Sequence, residues 1–359
     1  KRLLFNAIII LKLVLIIGLL GNAPGLVFVL LLIVYAIESL TIFKKDIKKP
    51  KVTSKITLLI LASLLAVIVY LYVIFITIRP PLTIISSFLI FDIFTPLIVS
   101  FIVLLFQPLF VFLRGNILIK AKNKISTMKH LTVIGITGSY GKTSTKEFLT
   151  IILSDKFKVL ATKEHQNSEM GIAKTILNDL NENHQIFMVE MGTYKKGGIK
   201  LLCDMVQPKI GVVTGVNHQH IALFGSMENL LSAEGGRDLS ASLLNNNNGM
   251  LVINADNKYC IALYKIRLRS GLLQSTKIYT MKGDKVDSDI WAEEISVKKG
   301  SLDFLVMTSG KEAVYFNVNI LGAHNIQNLL AATLVAKELG MSLQDIANAA
   351  KKIKQEQAG

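Results

Sequence analysis

Two kinds of hydrophobic pattern divide the chain near residue 113. Upstream, apolar residues run on without alternation from Leu3 to Leu20, Leu26 to Phe43, Ile56 to Ile78 and Phe94 to Leu113. A hydrocarbon core about 30 Å thick takes about 20 residues of α-helix, so residues 1–113 read as a transmembrane region of about four helices. The cleanest run, Ile56 to Ile78, is 23 uncharged residues and would span about 35 Å. Pro80 to Asp92 is apolar but short and reads as interfacial. Downstream, from Leu131, short β-rich runs (Leu131 to Ile136, Ile186 to Glu190, Ile210 to Thr214, Met250 to Ile253) alternate with helical patterns. That alternation predicts βαβ units around a parallel sheet. Ile278 to Thr280, Ile290 to Val297, Leu302 to Met307 and Ala313 to Ile320 predict further strands, and Leu329 to Leu339 and Leu343 to Lys354 amphipathic helices. Ser342 is the expected cap of the last helix, with Asp345 three residues on.

Charge sharpens this division. Of the net +15, residues 1–130 hold 15 Lys/Arg against 3 Asp/Glu. The basic excess therefore flanks apolar segments and does not read as a nucleic-acid footprint. Its placement in the loops puts both ends of the apolar region on the cytoplasmic side, which predicts a multi-pass protein of the cytoplasmic membrane in contact with its lipids. Residues 114–130 read as a basic linker. Lys12 and Glu38, ionisable residues near the spans, read as a pair or as side chains reaching the interface. Cys203 and Cys260 have no framework or metal-ligand spacing, which fits a reducing compartment.

One stretch carries chemistry. Val133-Ile134-Gly135-Ile136-Thr137-Gly138-Ser139-Tyr140-Gly141-Lys142-Thr143-Ser144 is a strand, a glycine turn and a helix start. Backbone N–H groups and a helix N-terminus can surround phosphate oxygens there. Lys142 would contact the β- and γ-phosphates of ATP, and the Thr143 hydroxyl would bind Mg²⁺. The strict spacing GxxxxGK[ST] is not met, since Ile136 stands where its first glycine belongs.

Gly135 to Thr143 resembles the ATP loop of the Mur ligase family, which forms amide bonds in peptidoglycan precursors. The resemblance continues through Thr162 to Gly171, Val189-Glu190-Met191-Gly192, Pro208 to Ser226, Asn254-Ala255-Asp256 and Gly322 to Asn328. It implies an ATP-binding central domain over 131–359 and an ATP-dependent ligase. Such an enzyme activates a carboxylate as an acyl phosphate for attack by an amine. Val-Glu-Met-Gly is similar to the branch that adds D-alanyl-D-alanine. The expected nucleotide contacts are Thr137, Gly138, Ser139, Gly141, Lys142, Thr143 and Ser144 in the loop, with His324, Asn325 and Asn328 at the adenine. Thr143, Glu190 and His220 are the expected Mg²⁺ ligands, and Asn167 and Ser168 would lie near the muramoyl substrate. His218 has no counterpart in the family, and Asp256 reads as structural, at a turn.

The pattern departs from the family in three places. Membrane helices stand where a uridine-nucleotide domain belongs, which leaves a UDP-linked or a lipid-linked muramoyl peptide as the carboxylate substrate. The C-terminal domain for the incoming amine is missing at Gly359, and with Lys1 in place of an initiator methionine the chain reads as a fragment. Glu234 stands where the family has a carbamylated lysine, and reads either as its carboxylate substitute on the second Mg²⁺ or as a solvated helix glutamate beside a weakened second metal site. A membrane-anchored nucleotide-binding scaffold with a degenerate ligase domain is the alternative reading.

Overall fold

The computed structural model describes residues 12, 14, 29–30, 33–37, 52–77, 81–164, 166–192, 197–217, 225–226, 229, 231, 236–244, 249–269, 275–281 and 287–355. It divides into two compact units, Lys1–Leu113 and Arg114–Gly359.

In the first unit the described helices are α1 (Ser54–Thr77) and the start of α2 (Pro81–Thr127), which continues into the second unit. Among the described residues two helices, Ser54–Thr77 and Ile90–Thr127, are long and apolar enough to cross a membrane. Four were expected, and the runs Leu3 to Leu20 and Leu26 to Phe43 lie largely outside the described residues. Pro80 to Asp92 is continuous with the run that follows it, because α2 begins at Pro81 and runs on. A proline at the first helical position gives up only an N–H that would lack a partner anyway. Lys12 pairs with Asp92 at 2.7 Å, where the sequence had offered Glu38. Tyr35 donates to the same carboxylate at 2.6 Å, and the Lys12 ammonium lies 4.3 Å from its ring centroid.

In the second unit the expected basic linker is helical through Thr127, and Ala121, Ile125 and Met128 are buried in a core cluster. After it come β1 (Thr132–Thr137), α3 (Lys142–Leu153), β2 (Val159–Ala161), α4 (Glu169–Asn178), β3 (Ile186–Glu190), α5 (Gly198–Val206), β4 (Ile210–Val213), α6 (Arg237–Leu244), β5 (Met250–Asn254), α7 (Lys258–Arg269), β6 (Thr276–Thr280), β7 (Ile290–Lys298), β8 (Ser301–Thr308), β9 (Ala313–Val318), α8 (His324–Glu338) and α9 (Leu343–Ala350). One sheet holds these strands in the order β2-β3-β1-β4-β5-β6-β7-β8-β9, parallel as far as β7 and antiparallel beyond it.

Alternation along the parallel strands feeds two cores. Ile134, Ile136, Met188 and Val212 face one cluster with Phe148 and Leu149 of α3 and the apolar positions of α8 and α9. Val133, Phe187, Val189, Leu251 and Ile253 face the other, with α4, α5, α6 and α7. Gly211 is a close-approach point: a Cβ there would meet Leu243 Cδ1 at 2.8 Å and Leu239 Cγ at 2.9 Å. Strand β1 feeds β2 on one side of the sheet, beyond β3, and β4 lies on its other side. That reversal opens a crevice at the carboxyl ends of β1, β3 and β4, the place where open α/β sheets hold ligands.

Candidate functional site

Strand β1 ends in the loop Gly138-Ser139-Tyr140-Gly141. Gly138 has φ 139° and Gly141 φ 74°, both in the region that favours glycine. A Cβ on Gly141 would meet Asn328 Oδ1 at 2.5 Å, so the loop also needs glycine to lie against α8. Helix α3 starts at Lys142 with no side chain capping it. Its first-turn N–H groups and dipole therefore favour an anion at that end. Lys142 Nζ donates to the Gly138 carbonyl at 2.5 Å, which curls the ammonium over the loop.

The loop is fastened to the segment after β4. Ser139 N–H donates to the Gly215 carbonyl at 2.7 Å, and Asn217 N–H donates to Ser139 Oγ at 3.0 Å. The Thr214 hydroxyl donates to the Tyr140 carbonyl at 2.5 Å, and Asn257 Nδ2 donates to the Tyr140 hydroxyl at 3.1 Å. Burial raises the Tyr140 pKa above its usual value, so the phenol stays neutral.

Facing the loop, β3 ends at Glu190, which is 6% exposed. Thr143 Oγ1 donates to Glu190 Oε2 at 3.1 Å, and Asn167 Nδ2 donates to Glu190 Oε1 at 3.2 Å. Below them Lys146 Nζ, fully buried, lies 3.5 Å from Oε2. A cavity of about 520 Å³ opens here, lined by Ser139 to Ser144, Asn167, Glu190, His324, Gln327 and Asn328. A carboxylate and a hydroxyl that already touch give two hard oxygen donors, and Mg²⁺ accepts such a pair while water and phosphate complete its shell. No group of three His, Cys, Asp or Glu able to hold a metal occurs among the described residues.

Most of the residues singled out from sequence meet in this cavity, and several take other places. Ser168 caps α4, accepting from Gly171 N–H at 3.3 Å, and does not line the cavity. Asn325 is 1% exposed and donates to the Leu321 carbonyl at 2.9 Å. It also accepts from Asn328 Nδ2 at 2.9 Å, and Asn328 Oδ1 accepts from the Thr145 hydroxyl at 3.3 Å. The two asparagines thus tie α8 to α3, and His324 and Asn328, not Asn325, reach the cavity wall. Thr137 is 1% exposed, and its hydroxyl is buried without a hydrogen-bond partner. Neither Thr137 nor Gly138 lines the cavity, although the Gly138 carbonyl anchors Lys142. His218, His220 and Glu234 lie outside the described residues.

Three residues escaped the sequence reading as individuals: Tyr140, Lys146 and Gln327. Gln327 lines the cavity with its amide fixed, since Nε2 donates to Asp256 Oδ2 at 3.1 Å and Oε1 accepts from Asn254 Nδ2 at 3.4 Å. Asp256 also accepts from the Thr280 hydroxyl at 2.7 Å and from Met281 N–H at 2.8 Å, so its turn position has a purpose beyond the turn.

Comparison with known proteins places this geometry. Residues 136–336 match the Mur ligase middle domain. Over 223 residues the chain is 31% identical to the UDP-N-acetylmuramoyl-tripeptide–D-alanyl-D-alanine ligase of Synechocystis sp., covering 60% of this chain and 42% of that enzyme. Its fold is similar to MurF from Acinetobacter baumannii, with a TM-score of 0.57 and 26% identity over 67% of this chain and 49% of that one. It is also alike in fold to the MurF ligase from Thermotoga maritima solved in complex with ADP, with a TM-score of 0.51 and 24% identity over 65% and 52% of the two chains. The chain thus spans about half the length of the relatives it matches. These findings correct the expectation of a multi-pass protein of the cytoplasmic membrane. The relatives are named as ligases of a UDP-linked substrate, and among the described residues two helices are long and apolar enough to cross a membrane, which by itself is weak evidence of a membrane protein.

Proposed function

The chain belongs to the Mur ligase family, and from that premise we propose that it carries the nucleotide-activating part of an ATP-dependent ligase adding D-alanyl-D-alanine to UDP-N-acetylmuramoyl-tripeptide. The observation that supports this most is the meeting of Thr143 and Asn167 on the buried Glu190, in the same cavity as Lys142 and the glycine loop. The UDP-linked precursor is preferred over a lipid-linked one because the relatives are named for it. In the proposal the N–H groups at the start of α3 and the Lys142 ammonium hold the β- and γ-phosphates, and His324, Asn328 and Gln327 border the base. Thr143 and Glu190 would hold a Mg²⁺, which together with the Lys142 ammonium would offset the charge of the phosphates. Asn167 fixes the Glu190 carboxylate from the side on which the muramoyl peptide enters. The γ-phosphoryl group of ATP would pass to the peptide carboxylate with release of ADP, and the dipeptide amine would then attack the acyl carbon, forming the amide and expelling inorganic phosphate. From the sequence, His220 and Glu234 are proposed to serve a second Mg²⁺.

The test is Lys142→Ala, read by competition of ATP against a fluorescent nucleotide in the presence of Mg²⁺. The proposal expects at least about a hundredfold weaker binding, the loss of a charge-assisted phosphate contact, with the circular dichroism spectrum unchanged. A folded variant with wild-type affinity overturns the nucleotide reading. ADP formation that rises with the UDP-linked tripeptide tests the carboxylate substrate, and formation indifferent to it overturns that substrate.

A further inference from the structure

Helix α3 carries a second lysine one turn beyond Lys142, and the two have opposite fates. Lys142 stands at the cavity, whereas Lys146 has no exposed surface at all. An ammonium without water is strongly disfavoured unless its charge and its three donors find partners. Three acceptors surround it. Lys146 Nζ donates to the Thr162 carbonyl at 2.8 Å and lies 3.2 Å from Glu147 Oε1 and 3.5 Å from Glu190 Oε2. Thr162 closes the circuit, because its hydroxyl accepts from Glu190 N–H at 3.1 Å and its own N–H donates to the Met188 carbonyl at 2.9 Å. One ammonium thereby ties α3, the exit of β2 and the last residue of β3.

Packing alone does not call for a charge here. The buried residues in line with it on α3, Leu149 and Leu153, are apolar, and a methionine of similar length would fill the space without desolvating an ion. What an ammonium adds is a fixed direction for the Glu190 carboxylate. Oε2 is drawn back toward α3 by Lys146 and met by the Thr143 hydroxyl, while Asn167 holds Oε1. The carboxylate is therefore held from behind and from both sides, with its remaining lone pairs left to the cavity.

We propose that Lys146 is a positioning residue: it sets the orientation in which Glu190 presents its oxygens to the divalent cation of the bound nucleotide. The inference rests on the proposed nucleotide site and adds to it a residue that touches neither nucleotide nor metal. Its mark is a selective one, on the metal-dependent part of nucleotide binding.

The experiment is calorimetric titration of the full chain with ATP, first in EDTA and then across a Mg²⁺ series, for wild type, Lys146→Met and Lys146→Arg. Wild type is expected to bind ATP more tightly with Mg²⁺. Lys146→Met is expected to bind ATP in EDTA within about twofold of wild type and to need at least tenfold more Mg²⁺ to reach half its maximal affinity. Lys146→Arg keeps the charge but replaces a point donor by a planar fork, and is expected to show a smaller shift of the same sign. Should Lys146→Met not fold, Lys146→Arg alone decides. A folded variant with the wild-type Mg²⁺ dependence overturns the positioning role, as does a loss of affinity equal with and without Mg²⁺, the result of a merely structural tie. Wild type that binds no ATP under either condition overturns the nucleotide site itself, and the two failures are thereby told apart.

Discussion

The parallel and antiparallel parts of the sheet treat the same kind of side chain differently. Strands β1, β3, β4 and β5 send alternate residues into two apolar clusters, so both faces are covered. In β8 and β9, Leu302, Phe304, Val306, Phe316 and Val318 are buried on one face, while the outer face carries Asp303, Tyr315 and Asn317. Covered on both faces, the parallel part meets solvent chiefly at its strand ends, and its polar chemistry is concentrated where β1 and β3 stop. The antiparallel part leaves its outer face open to solvent, where polar and apolar residues mix and surface pairs such as Lys298 with Asp303 form.

The contrast is broken most directly by truncation. Phe187 in β3 has no exposed surface, and Phe187→Ala is expected to lower stability by about 3 to 5 kcal/mol, transfer and cavity together. Val297 in β7 is 55% exposed, and Val297→Thr is expected to stay within about 0.5 kcal/mol of wild type. Urea unfolding with a common m-value measures both. If the two changes cost the same, the difference in coverage has no energetic meaning.

Glycines give a finer probe. At Gly211 an added methyl would press on Leu243 and Leu239 of α6, and Gly211→Ala is expected to cost about 1 to 3 kcal/mol through overpacking. Gly300, in the β7–β8 turn, has φ 101° and nothing within 4 Å of an added Cβ. Gly300→Ala is expected to cost about 1 kcal/mol, from backbone strain alone. Shortening Leu239 should relieve the first substitution and leave the second untouched, and denaturation of the double variants reads that directly.

The same contrast explains what the sequence disclosed. β-rich runs bounded by turns located β3 at Ile186–Glu190 and placed the other strands within a few residues, and Ser342 caps α9 as its spacing implied. β2 escaped notice because Val159–Ala161 is a three-residue edge strand, too short for any period to show. The glycine loop was legible because its residue types are demanded by local backbone geometry. Lys146 was not, since its role depends on Thr162 and Glu190, distant in sequence. A signal did exist: Lys146 lies in line with Leu149 and Leu153 on the buried stripe of α3. Ser168 also carried a signal, because Ser followed by Glu169 at a helix start reads as a cap. Asn325 could not be separated from Asn328 by sequence, as only packing decides which amide faces the cavity.

The smallest expected effect concerns the two thiols, both in the cluster beneath the parallel strands. Cys203 on α5 and Cys260 on α7 are free and buried, and burial pushes each thiol from 9.0 up to about 12. In the folded chain both therefore stay protonated at pH 9, where the unfolded chain has begun to release these protons. Because the folded state then binds more protons, stability falls as pH rises. The contribution is complete below the unfolded pKa and is lost progressively from about pH 9 toward 12. By pH 9 the loss is on the order of a few tenths of a kcal/mol per thiol. Tyr140 and Tyr279 are also raised, but from 10.0, so a series stopped at pH 9.5 isolates the thiols. The measurement is urea unfolding at pH 7.5, 8.5, 9.0 and 9.5 for wild type and for Cys203→Ala/Cys260→Ala. The double variant is less stable throughout because of its cavities, so the slope and not the level carries the result. Wild type should lose stability more steeply than the variant, and a thiol reagent should react with the native protein far more slowly than with the unfolded one. Equal slopes, or rapid native labelling, would show that the helices over this half of the sheet admit water and that its second face is less well covered than its packing implies.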